Sequence, residues 1–126
     1  MTKLTVKRVY DPPAPGDGLR ILVDRLWPRG VAKDRIDLWL KDLAPSDALR
    51  HEFHSHPERW REFRDAYAAE LASPAAQAVL AILDARRQEG PVVLLYAARD
   101  EDHNNAQVLR RWLDERAHPG WDEDKS

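Results

Sequence analysis

The sequence predicts an α/β domain: a three-layer α/β/α arrangement with a small, mainly parallel sheet of about four strands flanked by helices. Two compact apolar runs, residues 19–23 and 92–96, have the pattern of strands buried on both faces. Amphipathic helical segments lie between them. The length of 126 residues suits one ordinary domain. We expect that domain at residues 1–118 and a flexible tail at residues 119–126.

Four strands are expected from the apolar runs of the chain. Residues 4–10 predict a modest first strand, and the proline- and glycine-rich residues 11–18 predict a loop. This loop is short for a right-handed crossover, so we expect the first strand to pair antiparallel or to sit apart. Residues 19–23 and a shorter run at 36–40 predict the second and third strands, and residues 92–96 the fourth.

Helix-capping signals divide the rest of the chain. Ser46 is placed to cap a short helix, and Ser73 before a proline is placed to cap a longer one. Residues 55–58, Ser-His-Pro-Glu, predict a capping box that opens a helix between those two. The last helix is expected to begin near Asn104, with Gln107 completing a second capping box.

Composition excludes several classes of protein. Charged residues make up 33% of the chain, yet the net charge is only -2, which gives no support for a nucleic-acid-binding protein. No stretch approaches the roughly 18 consecutive apolar residues of a membrane span, so no membrane association is expected. The count of 0 cysteines excludes thiolate catalysis and cysteine-ligated metals, and it fits a cytoplasmic location. The sequence does not indicate the oligomeric state.

Two charged blocks directly follow buried strands. The first block, residues 25–30, reads Arg-Leu-Trp-Pro-Arg-Gly, and the second block, residues 99–105, reads Arg-Asp-Glu-Asp-His-Asn-Asn. Open α/β sheets bind ligands at the carboxyl ends of their strands. The sequence therefore predicts that the two blocks are opposing walls of one site.

The first block combines cations with an aromatic ring. Arg25 and Arg29 can face a common anion, because a guanidinium group is a planar fork that suits phosphate or carboxylate. Trp27 between them is either a stacking surface for a ring or a plug at the end of the core. Asp24, and Asp42 after the third strand, are candidates for acid-base chemistry or for ion pairs with these arginines.

The second block lies at a predicted helix start, where free amide groups favour anions. Arg99, Asn104 and Asn105 are therefore candidate ligand-binding residues. Tyr96, at the end of the preceding strand, either orients a ligand through its hydroxyl or belongs to the core.

Acidic side chains and one histidine complete the second block. His103 is the best candidate for proton transfer near neutral pH, or it packs against the helix start. Asp100 is a candidate acid or base. Asp100, Asp102 and His103 could supply metal ligands, but no second ligand cluster accompanies them, so we predict no metal site. Compensation of the helix dipole is the alternative role for Glu101 and Asp102.

Several motifs in order resemble the domain-of-unknown-function 488 family, in its YeaO-like branch. The resemblance runs from about Leu4 to Arg116, and the motifs are residues 8–11, 23–30, 39–45, 57–60, 94–100 and 103–105. It implies a small bacterial cytoplasmic α/β protein without an established activity. Larger relatives carry a cysteine-containing block after the corresponding strand, where this chain has Tyr96, Ala98 and Asn104. The resemblance therefore implies no thiol mechanism here.

Three functional hypotheses remain open, and no cofactor is predicted. The first is that the chain binds or processes a small anionic ligand, phosphate- or nucleotide-like, whether or not it is an enzyme. It predicts a pocket with arginines that no carboxylate pairs. The second is an interaction or regulatory module with a protein or nucleic-acid partner, which predicts a flat exposed face. The third is a structural ion-pair network, which predicts that every arginine has a carboxylate partner.

The candidate catalytic residues are Asp24, Asp42, Asp100 and His103. The candidate ligand-binding residues are Arg25, Trp27, Arg29, Tyr96, Arg99, Asn104 and Asn105.

Overall fold

A computed structural model describes residues 4–117, which form a four-stranded sheet with four α-helices. Every strand pair in the sheet is parallel, and the strand order is β1-β4-β2-β3. The α/β class and the small parallel sheet are thus confirmed. The strands are β1 (Leu4–Arg8), β2 (Leu19–Leu22), β3 (Leu38–Trp39) and β4 (Val92–Tyr96). The predicted tail at residues 119–126 lies outside the described residues.

The first strand is a full member of the sheet. β1 pairs parallel with β4, with Leu4 opposite Val92 and Arg8 opposite Tyr96. The expectation that it pairs antiparallel or sits apart is therefore wrong. Residues 9–18 contain several prolines and, when extended, can span about 33 Å. A strand of 5 residues is only about 17 Å long, so this loop can return the chain without a helix.

Four α-helices lie between and after the strands. They are α1 (Asp47–Ser55), α2 (Trp60–Leu71), α3 (Pro74–Glu89) and α4 (Asn105–Ala117). No single helix in residues 4–117 is long and apolar enough to cross a membrane. Among the described residues, one bent pair of helices, α2 and α3 across a bend of 82°, passes that test of length and composition.

Two of the predicted caps are confirmed, and one capping box is wrong. Ser46 Oγ accepts a hydrogen bond from the Leu49 amide over 3.2 Å, and Ser73 Oγ accepts one from the Ala76 amide over 3.3 Å. Ser55 instead ends α1, and α2 begins at Trp60 without a side-chain cap. The hydrogen bonding of α1 continues through residue 56, which leaves Ser55 inside the helix and unable to cap the next one.

The sheet is covered differently on its two faces. Along β4, Val92, Leu94 and Tyr96 pack in the larger core cluster with buried residues of α2, α3 and α4. Val93 and Leu95 point to the other face, into a smaller cluster. In the described part of the chain no α-helical residue belongs to this second cluster. Residues 27–39, with one 3-10 turn, cover that face instead.

Candidate functional site

A cavity of about 340 Å³ lies at the carboxyl ends of β2 and β4, where the two charged blocks meet. Residues from the loop after β2, from the loop after β4 and from the start of α4 form its walls, and α1 closes one side. Seven predicted site residues line it: Asp24, Arg25, Trp27, Arg29, His103, Asn104 and Asn105. The prediction that the blocks form opposing walls of one place in the fold therefore agrees with the structure.

Four other predicted site residues do not line this cavity. Asp42 is exposed and lines a second cleft, which it shares with Arg25, because the 3-10 turn Lys41–Leu43 comes soon after β3 and turns the chain away from the cavity. Tyr96 is only 3% exposed and belongs to the main core cluster. Arg99 and Asp100 are exposed in the loop before α4. None of these four residues lines the cavity, although Asp100 contacts His103 and Asp42 shares a cleft with Arg25.

Asp24 forms part of the cavity wall between β2, β4 and α4. Its Oδ2 accepts a hydrogen bond from the Ala97 amide over 2.9 Å, and its Oδ1 accepts one from Asn105 Nδ2 over 3.1 Å. Burial raises the pKa of Asp24, and those two hydrogen bonds and the charge of Arg50 act against that rise. In the part of the chain that the structure describes, no ion pair joins Asp24 to a lysine or arginine.

Two asparagines hold the start of α4. Asn104 is 2% exposed and caps the helix, since its Oδ1 accepts a hydrogen bond from the Gln107 amide over 2.9 Å. The predicted capping box is only half formed, because the Gln107 side chain donates to the Glu101 carbonyl instead. Asn105 Nδ2 donates to the Val23 carbonyl over 2.9 Å as well as to Asp24. One asparagine therefore caps α4 and the other ties it to the end of β2.

The arginines around the cavity outnumber their carboxylate partners. Arg25 Nε lies 3.8 Å from Asp47 Oδ1, and Arg50 Nη2 lies 3.2 Å from the same oxygen, although the Asp47 side chain is 67% exposed. Arg50 Nε is buried without a hydrogen-bond partner. Arg29 is exposed and forms no ion pair within residues 4–117. The hypothesis that every arginine here is matched by a carboxylate therefore does not fit the structure.

Aromatic and apolar side chains supply much of the remaining wall. Trp27 Nε1 donates to the Val31 carbonyl over 2.9 Å, and its ring meets Trp39 edge-on at 5.5 Å. Trp27 thus packs in the smaller core cluster, in agreement with the plug interpretation, and also borders the cavity. Phe53 and Phe63 stack with their ring centres 4.5 Å apart on the side of the cavity formed by α1 and α2.

Sequence reasoning missed the contribution of α1. Arg50 and Phe53 both line the cavity, and Tyr10 borders it from the loop after β1. The spacing of residues 50 and 53 places them on one face of a helix. The apolar Phe53, three residues after Arg50, was therefore a signal in the sequence that could have placed Arg50 on the inward face of this helix.

His103 lies at the edge of the cavity and is exposed. Its Nδ1 lies 3.1 Å from Asp100 Oδ2, and its ring meets Trp60 edge-on at 4.8 Å. Asp100 Oδ1 also accepts hydrogen bonds from the backbone amides of His103 and Asp102. The backbone amide of His103 is the main cause of a lowered pKa at Asp100. Within residues 4–117 no three metal-ligating side chains are grouped to hold a metal ion.

Comparison with known proteins identifies the family. The model of the DUF488-N3i family, described as "Inactive DUF488-N3 subclade", matches residues 3–126. The chain belongs to this family. The resemblance to the domain-of-unknown-function 488 family, in its YeaO-like branch, is thereby confirmed.

Relatives of this DUF488-N3i chain extend over almost its whole length. It is 45% identical over 109 residues to the uncharacterized protein YeaO of Escherichia coli (strain K12). The aligned residues cover 85% of this chain and 93% of YeaO. It is 44% identical over 117 residues to uncharacterized proteins of Mycobacterium bovis and Mycobacterium tuberculosis, which covers 91% of this chain and 97% of each relative. No solved structure matches the chain.

Proposed function

We propose that this DUF488-N3i protein binds a small anionic ligand in the cavity between the two charged blocks. The observation that carries the proposal is the surplus of positive charge there, since Arg25, Arg29 and Arg50 line one cavity of about 340 Å³. Asp47, which serves two of them, is largely exposed to solvent. Guanidinium groups bind phosphate and carboxylate through paired N–H donors, so the arginines of this cavity suit an anionic ligand.

We propose binding without catalysis. The description of the family as an inactive subclade supports this choice. A concave cavity also favours a small ligand over the flat face that the interaction-module hypothesis requires.

A thermal-shift panel of inorganic phosphate, pyrophosphate, citrate and nucleoside monophosphates tests the proposal. A ligand that binds only the folded state stabilises it by about 2.7 kcal/mol at a concentration of 100 times Kd. We expect at least one of these anions to raise Tm in a concentration-dependent way. If none does, the proposal is wrong.

Three variants connect the binding to the cavity. Arg25→Gln and Arg50→Gln are each expected to weaken binding about tenfold, the loss of a hydrogen bond to a charged group. Arg99→Gln is the matched control, because Arg99 is exposed and does not line the cavity. An equal loss in all three variants would contradict a site in the cavity.

We propose in addition that the protein acts in the cytoplasm. The count of 0 cysteines supports this, because cysteine-free chains need no oxidising compartment. Fractionation of cells that make the natural chain is expected to recover it with cytoplasmic markers, and recovery with the envelope would contradict the proposal.

A further inference from the structure

The cavity contains a carboxylate as well as arginines. Asp24 borders it beside Arg25, and Arg50 is near enough for its charge to act on Asp24. A ligand that carried only negative charge would be repelled by this carboxylate. The ligand that fits both features has an anionic group for the arginines and hydrogen-bond donors for Asp24.

Asp24 is held in a fixed orientation with acceptor capacity to spare. A carboxylate offers about four acceptor positions. The Ala97 amide and the Asn105 side chain take one position on each oxygen. In the described ranges the carboxylate makes no ion pair with a lysine or arginine. Two adjacent N–H donors on a ligand can therefore meet its two oxygens.

The rest of the wall suits a flat ring. Trp27, Phe53 and Phe63 provide aromatic surface, and Leu26 and Pro28 add apolar contacts. Aromatic side chains stack on the faces of heterocyclic bases. The volume of about 340 Å³ lies at the low end for small-molecule sites, about 300–1,000 Å³, which fits one nucleotide and not a strand.

We propose that the ligand is a mononucleotide whose base presents two adjacent N–H donors to Asp24, as guanine does, with its phosphate on the arginines. This inference rests on the proposed function and specifies its ligand class. Guanine places N1–H beside its 2-amino group, so both donors can reach one carboxylate. Adenine has an acceptor, N1, beside its 6-amino group, which would set a lone pair against an Asp24 oxygen. Asp24 is thus the residue that determines base specificity.

Calorimetric titration of the natural chain with GMP, IMP and AMP tests the inference without any variant. IMP keeps N1–H but lacks the 2-amino group. We expect GMP to bind about tenfold more tightly than IMP, and AMP to bind more weakly than both, because a hydrogen bond to a charged group changes affinity by about that factor. Equal affinity for the three nucleotides would overturn the inference and leave the proposed anion site standing.

Guanosine and inorganic phosphate separate the two proposals. We expect GMP to bind more tightly than either, because each supplies only half of the contacts. If guanosine binds as tightly as GMP, the arginines contribute nothing and the proposed anion site is wrong. If neither the nucleotides nor phosphate bind, both proposals are wrong.

Asp24→Asn assigns the specificity to a residue. We expect this variant to bind GMP at least about tenfold more weakly, because it loses an acceptor for the base. We expect it to bind phosphate no more weakly than the natural chain does, because it also loses a negative charge. Asp42→Asn is the matched control, because Asp42 is exposed and outside the cavity. A preference for GMP that survives in a folded Asp24→Asn protein would overturn the role of Asp24. If the variant does not fold, the comparison of nucleotides on the natural chain decides.

Discussion

The side-chain amide of Asn105 donates one hydrogen bond to Asp24 Oδ1 over 3.1 Å and another to the Val23 carbonyl over 2.9 Å. Both hydrogens of one NH₂ group are therefore used, and both acceptors lie at the end of β2. Asn105 is the first residue of α4. A single side chain thus holds the second charged block against the chain just before the first block. The wall of the cavity therefore depends on the packing of α4 against the end of β2.

Replacing Asn105 with alanine should destabilise the fold. The change leaves the Val23 carbonyl and one Asp24 oxygen without their donor, and an unpaired buried polar group costs about 1–3 kcal/mol. We expect the free energy of unfolding in urea to fall by that amount. Arg110→Ala is the control on the same helix, and as an exposed substitution it should change stability by less than about 0.5 kcal/mol. Equal effects of the two variants would contradict the structural role of Asn105.

Asp24 should titrate above the ordinary value of 3.8, because burial raises its pKa. The folded state then binds this proton more tightly than the unfolded state. The stabilisation from Asp24 is complete below 3.8 and is lost as the pH rises through its folded pKa. The carboxyl ¹³C shift reports the titration directly. Arg50→Gln should raise the pKa of Asp24 further, since the Arg50 charge acts to lower it.

Asp100 provides an internal comparison of opposite sign. Its pKa is lowered from 3.8, chiefly by the hydrogen bond from the His103 backbone amide. Its contribution to stability is therefore present above 3.8 and is lost as the pH falls through its lower folded pKa. The same ¹³C experiment should show the two carboxyls displaced in opposite directions. Two carboxyls that titrate together would contradict the electrostatic account of both.

Local patterns explain which parts of the fold were predictable. The apolar run of β4 and the caps Ser46 and Ser73 were recognised because their signals lie within a few residues in sequence. The direction of β1 was predicted wrongly, because its partner is β4, which is remote in sequence and is inserted between β1 and β2. Loop length alone did not reveal that arrangement.

At the candidate site, too, the sequence predicted the residues that lie next to strand ends better than those placed by other parts of the fold. Both charged blocks were placed at one edge because the ends of parallel strands meet there. Arg50 was missed because its position depends on how α1 packs beside the cavity. Asp42 was expected at that edge, but the 3-10 turn after β3 carries it elsewhere. The packing of α1 decided the first outcome and the turn after β3 decided the second, and the charge pattern of the sequence indicates neither.

Asn104 offers a test that separates its role as a cap from its donor contacts. Its Oδ1 caps α4, while its Nδ2 donates to the carbonyls of Asp100 and Glu101. Asn104→Ala should lose the cap, about 1 kcal/mol, and the donor contacts as well. Asn104→Asp keeps an acceptor for the cap, so it should be the less damaging change in thermal unfolding. If aspartate destabilises as much as alanine, the donor contacts and not the cap hold the helix start.

Gly18 and Gly30 form a matched pair for backbone strain, since both have positive φ, 72° and 78°. A Cβ at Gly30 would meet open space, so Gly30→Ala should cost only the left-handed conformation, about 1–2 kcal/mol. A Cβ at Gly18 would lie 2.2 Å from the Pro91 carbonyl oxygen, which accepts the first hydrogen bond between β2 and β4 from the Leu19 amide. Gly18→Ala must therefore move the backbone where these strands begin to pair, which adds about 1–3 kcal/mol. Urea unfolding of the two variants should show Gly18→Ala as clearly the less stable, and equal losses would mean that Gly18 does not closely approach Pro91.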